Sequence, residues 1–96
     1  MLELRIVCEN CGKSLPPNST EAMICSFECT YCSTCVEQIM HNVCPNCGGG
    51  LERRPIRPQK ALVKNPPKND PYLKPIDMIK FKPYREKYSI VKPENR

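Results

Sequence analysis

The sequence contains no tryptophan, a single histidine and only six aromatic residues among its 96. It also has no Ser/His/Asp set, no glycine-rich phosphate loop and no paired carboxylates of the kind that mark a catalytic centre. The single histidine, His41, lies outside the apolar face of the helix predicted around it, so it is expected to be solvated. We therefore expect a protein that is not an enzyme.

Long apolar segments are absent as well. No run approaches the roughly 20 residues that a membrane-spanning helix needs. The first eight residues have neither the apolar core nor the cleavage site of a secretory signal. These absences predict a cytoplasmic protein, and thiols stay reduced in that compartment. Clustered cysteines are then expected to bind metal rather than to form disulfides.

Cysteine, proline and charge are divided unevenly along the chain. All eight cysteines lie in the first 47 residues, whereas eight of the eleven prolines lie between Pro55 and Pro93. Residues 1–51 carry two basic and five acidic side chains, a net charge of −3, and residues 52–96 carry thirteen and five, a net charge of +8. We predict a zinc-binding domain over 1–51, here called the head, and a basic tail over 52–96. Because proline interrupts helices, the tail is expected to be extended or largely disordered, without long helices.

The cysteines form four closely spaced pairs. A head of this size buries too little apolar surface to be stable alone, so metal is expected to supply stability. The first and last pairs have the C-x2-C-G form of a zinc knuckle, in which both sulfurs reach one metal and glycine permits a positive φ. The pairs in chain order are Cys8/Cys11, Cys25/Cys29, Cys32/Cys35 and Cys44/Cys47.

Two structural elements are predicted between the knuckles. Apolar and β-branched residues in Ala22–Cys25 and Phe27–Tyr31 predict a β-hairpin with the second cysteine pair near its tip. Thr34 and Glu37 form a capping-box pattern, and apolar residues then recur at helical spacing as far as Val43. The sequence therefore predicts a helix from about Thr34 to Val43.

Geometry restricts how the four pairs can share two metal ions. The predicted helix would be about 15 Å long and separates the third pair from the fourth, whereas zinc–sulfur bonds measure only about 2.3 Å. An extended segment of about 10 Å separates the second pair from the third. The remaining division is interleaved, as in a treble-clef arrangement, and it predicts two zinc ions. The predicted ligands are Cys8, Cys11, Cys32 and Cys35 at site 1, and Cys25, Cys29, Cys44 and Cys47 at site 2.

The whole spacing, C-x2-C-x13-C-x3-C-x2-C-x2-C-x8-C-P-x-C, resembles that of a RING finger. RING fingers also have four pairs, an aromatic residue before the third pair (Tyr31 here), a helix after it and C-P-x-C at the end. The resemblance implies the same cross-braced ligation, with Cys29 standing where most RING fingers have histidine. The expected fold is a small zinc-stabilised α+β domain, RING-like, with one β-hairpin and one helix, followed by the extended tail.

A closer resemblance rests on whole strings of residues, namely M-L-E-L-R, L-P-P-N-S, E-A-M-I-C-S-F-E-C-T-Y-C and C-P-N-C-G-G-G. These strings are similar to a bacterial family of short cysteine-rich proteins known as domain of unknown function 1272. The resemblance covers roughly residues 1–58, and it implies a bacterial protein without an assigned activity.

Alternatives remain for the metal and for the role. The run from Cys29 to Cys44 resembles an iron–sulfur motif of ferredoxins, but its last gap is eight residues instead of three. Ubiquitin-ligase activity is opposed by Glu9 and Asn10 in the first knuckle, where ligases of this type usually have an apolar residue. It is opposed also by the absence of tryptophan. Two binding roles are left: a protein-interaction adaptor, or a nucleic-acid binder that uses the basic tail. No membrane partner and no small-molecule substrate are expected.

Charge also suggests a contact within the chain. Eight thiolates and two divalent zinc ions would give the head a net charge of −7 beside a tail of +8. We therefore expect the tail to dock on the head weakly, through electrostatic attraction that salt screens. Five tail residues are available to strengthen that docking by covering apolar surface: Tyr72, Ile76, Phe81, Tyr84 and Tyr88.

Overall fold

The sheet forms where the sequence predicts a hairpin. In the computed structural model, which describes residues 1–96, strand β1 (Ala22–Ile24) pairs antiparallel with β2 (Thr30–Cys32). The second cysteine pair lies in the connecting turn, as predicted. A third strand, β3 (Glu52–Arg53), pairs antiparallel with the other edge of β1. The sequence did not predict β3, because two residues carry no detectable alternation.

A helical segment follows β2 but differs from the prediction at both ends. It begins as helix α1 (Ser33–Cys35) and continues in π-helical geometry over Val36–Met40, ending at His41 in the left-handed region with φ of 49°. The predicted capping box is wrong. No side chain caps the first turn; instead the N–H of Ser33 donates to the carbonyl of Glu21 at 2.9 Å. The helix stops before Val43 because His41 and the next residue both take a positive φ.

One buried cluster holds the head together, and the cysteines are part of it. Leu15, Tyr31, Met40 and Val43 are almost completely buried and pack with seven of the eight cysteines. The tail residue Phe81 belongs to the same cluster. These seven cysteines therefore belong to the apolar core instead of forming a separate surface.

The tail contains a helix, so the prediction that proline excludes long helices there is wrong. A short helix, α2 (Gln59–Leu62), is followed by α3 (Met78–Ser89), which runs for twelve residues and contains Pro83. Asp77 caps α3, because its carboxylate accepts from the N–H of Ile79 at 3.1 Å. Proline costs about 3 kcal/mol inside a helix, and burial of aromatic side chains from α3 against the head offsets that cost. The chain closes with a 3-10 turn over Pro93–Asn95.

The tail docks on the head, as predicted, through apolar contacts as well as charged ones. Phe81 is buried, and Ile76, Tyr84 and Tyr88 pack against the head's core. One salt bridge, between Lys68 and Glu3 at 2.9 Å, joins tail to head, and it is exposed. Exposed ion pairs contribute little, but charged tail side chains also donate to head carbonyls, Arg57 to that of Leu2 and Arg85 to that of Ile39. Docking therefore combines apolar burial with charged hydrogen bonds, and the attraction of opposite charges is only part of it.

A buried arginine adds to this docking. Arg54 is 1 % exposed and donates to three backbone carbonyls of the head, those of Arg5, Leu15 and Pro16, at 2.6, 3.2 and 2.8 Å. No carboxylate pairs with it, and burial lowers the pKa of its guanidinium. The single side chain ties the segment after β3 to two loops near the N-terminus.

Together these elements form a small α+β fold with a three-stranded antiparallel sheet. The division into two domains at residue 51 stays a prediction. None of the helices has the length and apolar character that crossing a membrane would require.

Candidate metal centre

The first cysteine cluster brings together four thiols from two distant segments. Cys8 and Cys11 come from the first knuckle, Cys32 ends β2, and Cys35 ends α1. All four sulfurs lie within 4.8 Å of one another, with Cys8–Cys35 at 3.9 Å and Cys11–Cys32 at 3.8 Å. A tetrahedral ion with bonds of about 2.3 Å places its sulfurs about 3.8 Å apart. The cluster therefore has the dimensions of a four-thiolate metal site.

The second cluster brings together three thiols. Cys25 comes from the hairpin turn, and Cys44 and Cys47 come from the second knuckle, with their sulfurs within 4.8 Å of one another. Cys29, which the sequence predicts as the fourth ligand, lies outside that group. It is nevertheless buried at 7 % exposure, and its Sγ lies 3.4 Å from the amide nitrogen of Asn46.

The observed grouping of the sulfurs matches the interleaved division of the four cysteine pairs between two metal ions. It does not match either of the two other possible divisions. The first pair lies with the third, and the second pair contributes one member to the fourth. No cluster joins the third pair to the fourth. Two cysteine clusters that could hold metal ions are thus present, while the assignment of all eight cysteines as ligands stays a prediction.

The chemistry of the clusters fits a bound cation. All eight cysteines are free thiols. Burial raises the pKa of the Cys35 and Cys44 thiols well above the ordinary value, so these sulfurs lose their protons only with compensating positive charge. A divalent ion would supply that charge. Backbone N–H groups also point at two sulfurs, from Phe27 to Cys25 at 3.3 Å and from Gly49 to Cys47 at 3.4 Å.

The first knuckle turns both of its intervening side chains inward, which the sequence analysis missed. Glu9 is 1 % exposed, and its carboxylate accepts from Arg5 at 2.7 Å and from the N–H of Thr30. Asn10 donates to Cys35 Sγ at 3.4 Å. These two polar side chains therefore form hydrogen bonds inside the site instead of facing solvent. For Asn10, the sequence did contain a signal, because the second knuckle has an asparagine, Asn46, at the same position.

The tail crosses directly over this knuckle. The N–H of Lys74 donates to the carbonyl of Glu9 at 2.7 Å, and the N–H of Ile76 donates to Asn10 Oδ1 at 2.9 Å. At the second knuckle, Tyr84 covers Gly48 so closely that a Cβ there would lie 2.5 Å from the tyrosine oxygen. Both knuckles are thus covered by residues that come more than twenty positions after the last cysteine.

A surface hollow opens beside the second cluster. It has a volume of about 430 Å³ and is here called the hairpin hollow. Two exposed aromatic side chains border it, Phe27 at 72 % and Tyr72 at 50 % exposure. Its other lining residues are Arg5, Glu9, Cys29, Asn46, Cys47 and Lys74. His41 is exposed, as predicted, and does not line this hollow.

Comparison with known proteins agrees with the resemblance noted in the sequence. An uncharacterised protein of Rhizobium meliloti (strain 1021) is 53% identical over 75 residues, which cover 78% of this chain and 89% of that protein. No solved structure matches the chain significantly. A family model described as "Protein of unknown function (DUF1272)" matches residues 1–57. With that match and that relative, the chain belongs to the DUF1272 family.

Proposed function

We propose that this protein is a non-catalytic module that binds two zinc ions in a cross-braced, RING-like arrangement. The observation that carries the proposal is the sulfur spacing in the first cluster, 3.8 and 3.9 Å, which suits tetrahedral zinc. The knuckle glycines, Gly12 and Gly48, have φ of 78° and 77° and support the same assignment. Four cysteines saturate a structural zinc ion, so the first site keeps no open position of the kind that catalysis would need. With Cys29 as its predicted fourth ligand, the second site would keep none either.

Native mass spectrometry tests the metal content. The protein purified without added metal is expected to carry the mass of two zinc ions, because two groups of thiolates are available. Cys8→Ser and Cys35→Ser should each weaken the binding of one zinc ion, whereas Cys25→Ser and Cys47→Ser should each weaken the binding of the other. Visible absorbance together with acid-labile sulfide would contradict zinc and indicate an iron–sulfur cluster.

The role we propose is that of a cytoplasmic protein-interaction adaptor. Eight free thiols support this compartment, because thiols stay reduced in the cytoplasm. The hairpin hollow supports a contact surface, because Phe27 and Tyr72 are exposed there beside the basic side chain of Lys74. Arg5 also lines the hollow but is already paired with Glu3 and Glu9. Exposed aromatic residues next to arginine are typical of binding surfaces. A protein segment with apolar and acidic side chains would complement this surface.

Crosslinking tests the adaptor role. A photoreactive amino acid at position 27 should capture a discrete partner from the native cytoplasm, and the added substitution Tyr72→Ala should reduce that capture. The same probe at Val63 is a matched control, because Val63 is 83 % exposed and does not line the hollow. Equal capture from both positions would contradict a specific surface at the hairpin hollow.

Nucleic-acid binding is a second candidate, supported by the charge of the tail. Helix α3 turns Phe81 to the head and leaves Lys80, Lys82 and Lys87 exposed. Such lysines would contact phosphates, and binding would then fall steeply with salt. A gel mobility shift with nucleic acid, measured between low and physiological salt, distinguishes this role. A shift that weakens steeply with salt would support nucleic-acid binding, whereas the adaptor surface at Phe27 predicts no such shift.

A further inference from the structure

The two knuckles repeat one backbone pattern. In each, the N–H of the first cysteine donates to the carbonyl five residues later, and the glycine N–H donates back to the carbonyl of that cysteine, at 2.8 or 2.9 Å. The glycines, Gly12 and Gly48, share almost the same φ, 78° and 77°. The knuckles are therefore one geometric unit used twice, and residues at equal positions within them can be compared. The residue before the second cysteine is asparagine in both, Asn10 and Asn46.

Both asparagines direct their amide nitrogen at a sulfur from outside their own knuckle. Asn10 Nδ2 lies 3.4 Å from Cys35 Sγ, and Asn46 Nδ2 lies 3.4 Å from Cys29 Sγ. Both receiving cysteines belong to the segment that contains the hairpin and the following helix. The first contact stays within the cluster of four thiols. The second reaches the cysteine that lies outside the cluster of three.

The orientation of the Asn10 amide is fixed by the tail. Its oxygen accepts from the N–H of Ile76 at 2.9 Å, so its NH2 group must face Cys35. The NH2 group of Asn46 also lies 3.4 Å from the hydroxyl of Tyr31. A donated hydrogen bond favours the ionised form of an acidic group and fixes its direction. Residues that orient a metal ligand in this way act on the ion without touching it.

We propose that Asn10 and Asn46 are matched positioning residues of the two metal sites, each holding the thiolate of a cysteine from the hairpin–helix segment. In the second site, Asn46 thereby supplies Cys29 as the fourth ligand. The proposal rests on the zinc-binding function proposed above and adds how each site recruits its distant cysteine. Each knuckle then positions a cysteine of the hairpin–helix segment in addition to contributing its own two sulfurs.

Alkylation of the zinc-loaded full chain tests the proposal, because metal-bound thiolates are protected from iodoacetamide. Asn46→Asp keeps the side-chain size but replaces the donor with an oxygen. Cys29 should then be alkylated faster than in the wild type, because the affinity of its site for zinc should fall about 10- to 100-fold, the loss found when outer-shell partners of a metal ligand are removed. Asn10→Asp should expose Cys35 in the same way. Asn18→Asp is the control, since Asn18 is exposed and the charge change is the same.

A second readout does not depend on reactivity. With cadmium-113 in both sites, each asparagine variant should shift the NMR resonance of its own site and leave the other unchanged. Equal alkylation of Cys29 in Asn46→Asp and the wild type would overturn the proposal, as would rapid alkylation of Cys29 in the zinc-loaded wild type. If the wild type takes up no zinc and all eight thiols react together, the zinc-binding function itself falls, and this proposal falls with it.

Discussion

Phe81 fixes helix α3 to the head, and its removal should release that helix. It is the one buried side chain of α3, at 5 % exposure, and it joins the same cluster as Tyr31 and Met40. Truncating a buried phenylalanine to alanine costs about 3–5 kcal/mol. A helix of twelve residues is marginal by itself, and Pro83 lowers its stability by about 3 kcal/mol more. Phe81→Ala should therefore undock and unfold α3.

Amide hydrogen exchange of the metal-loaded protein measures this effect. Since each 1.4 kcal/mol is a factor of ten, exchange across α3 should become at least about 100-fold faster in Phe81→Ala. The amides of β1 and β2 should keep their protection, because metal bound to the thiol clusters would stabilise the head. Ile79→Ala is the control, since Ile79 belongs to the same helix but is 88 % exposed.

Two results would refute this reasoning. Equal exchange in Phe81→Ala and Ile79→Ala would mean that burial of Phe81 does not hold the helix. Loss of protection in β1 and β2 together with α3 would mean that head and tail unfold as one cooperative unit.

Three further predictions concern single contacts. Gly48→Ala should lower the free energy of unfolding by about 1–2 kcal/mol in a urea titration, because φ is 77° and the new Cβ meets Tyr84; Tyr84→Ala should recover the steric part only. Arg54→Met should cost about 1–3 kcal/mol in the same assay, because three backbone carbonyls lose their donor, and a neutral result would contradict this role. The hydrogen bond from Lys68 lowers the pKa of Glu3. The ion pair between these two side chains is therefore complete above the ordinary carboxyl pKa and is lost as the pH falls through the lowered value. An NMR titration of both side chains would detect this loss.

The cysteine-rich part of the fold was largely predictable, because its signals are local. The hairpin around the second cysteine pair follows from β-branched and apolar residues, and β1 and β2 form there. The grouping of Cys8 with Cys35 followed from the length of a helix and of a metal–sulfur bond. These arguments need only a few residues and fixed covalent dimensions.

The features that were missed depend on contacts between distant residues. Prolines predict an extended tail, yet α3 forms because Phe81 finds a buried position in the head. Thr34 and Glu37 have the pattern of a capping box, yet the N–H of Ser33 takes the carbonyl of Glu21. In each case tertiary contacts override a local preference, and a single sequence does not contain those contacts.

The hydrogen bond from Ile76 to Asn10 joins residues 66 positions apart, and this separation sets an order of events during synthesis. The last cysteine, Cys47, is made 29 residues before Ile76. At about 5–20 residues per second, synthesis leaves about 1.5–6 s in which all eight cysteines have been made while the segment that covers the first knuckle has not. A metal ion bound during this interval would enter an open head. The tail would then close over a site that is already loaded.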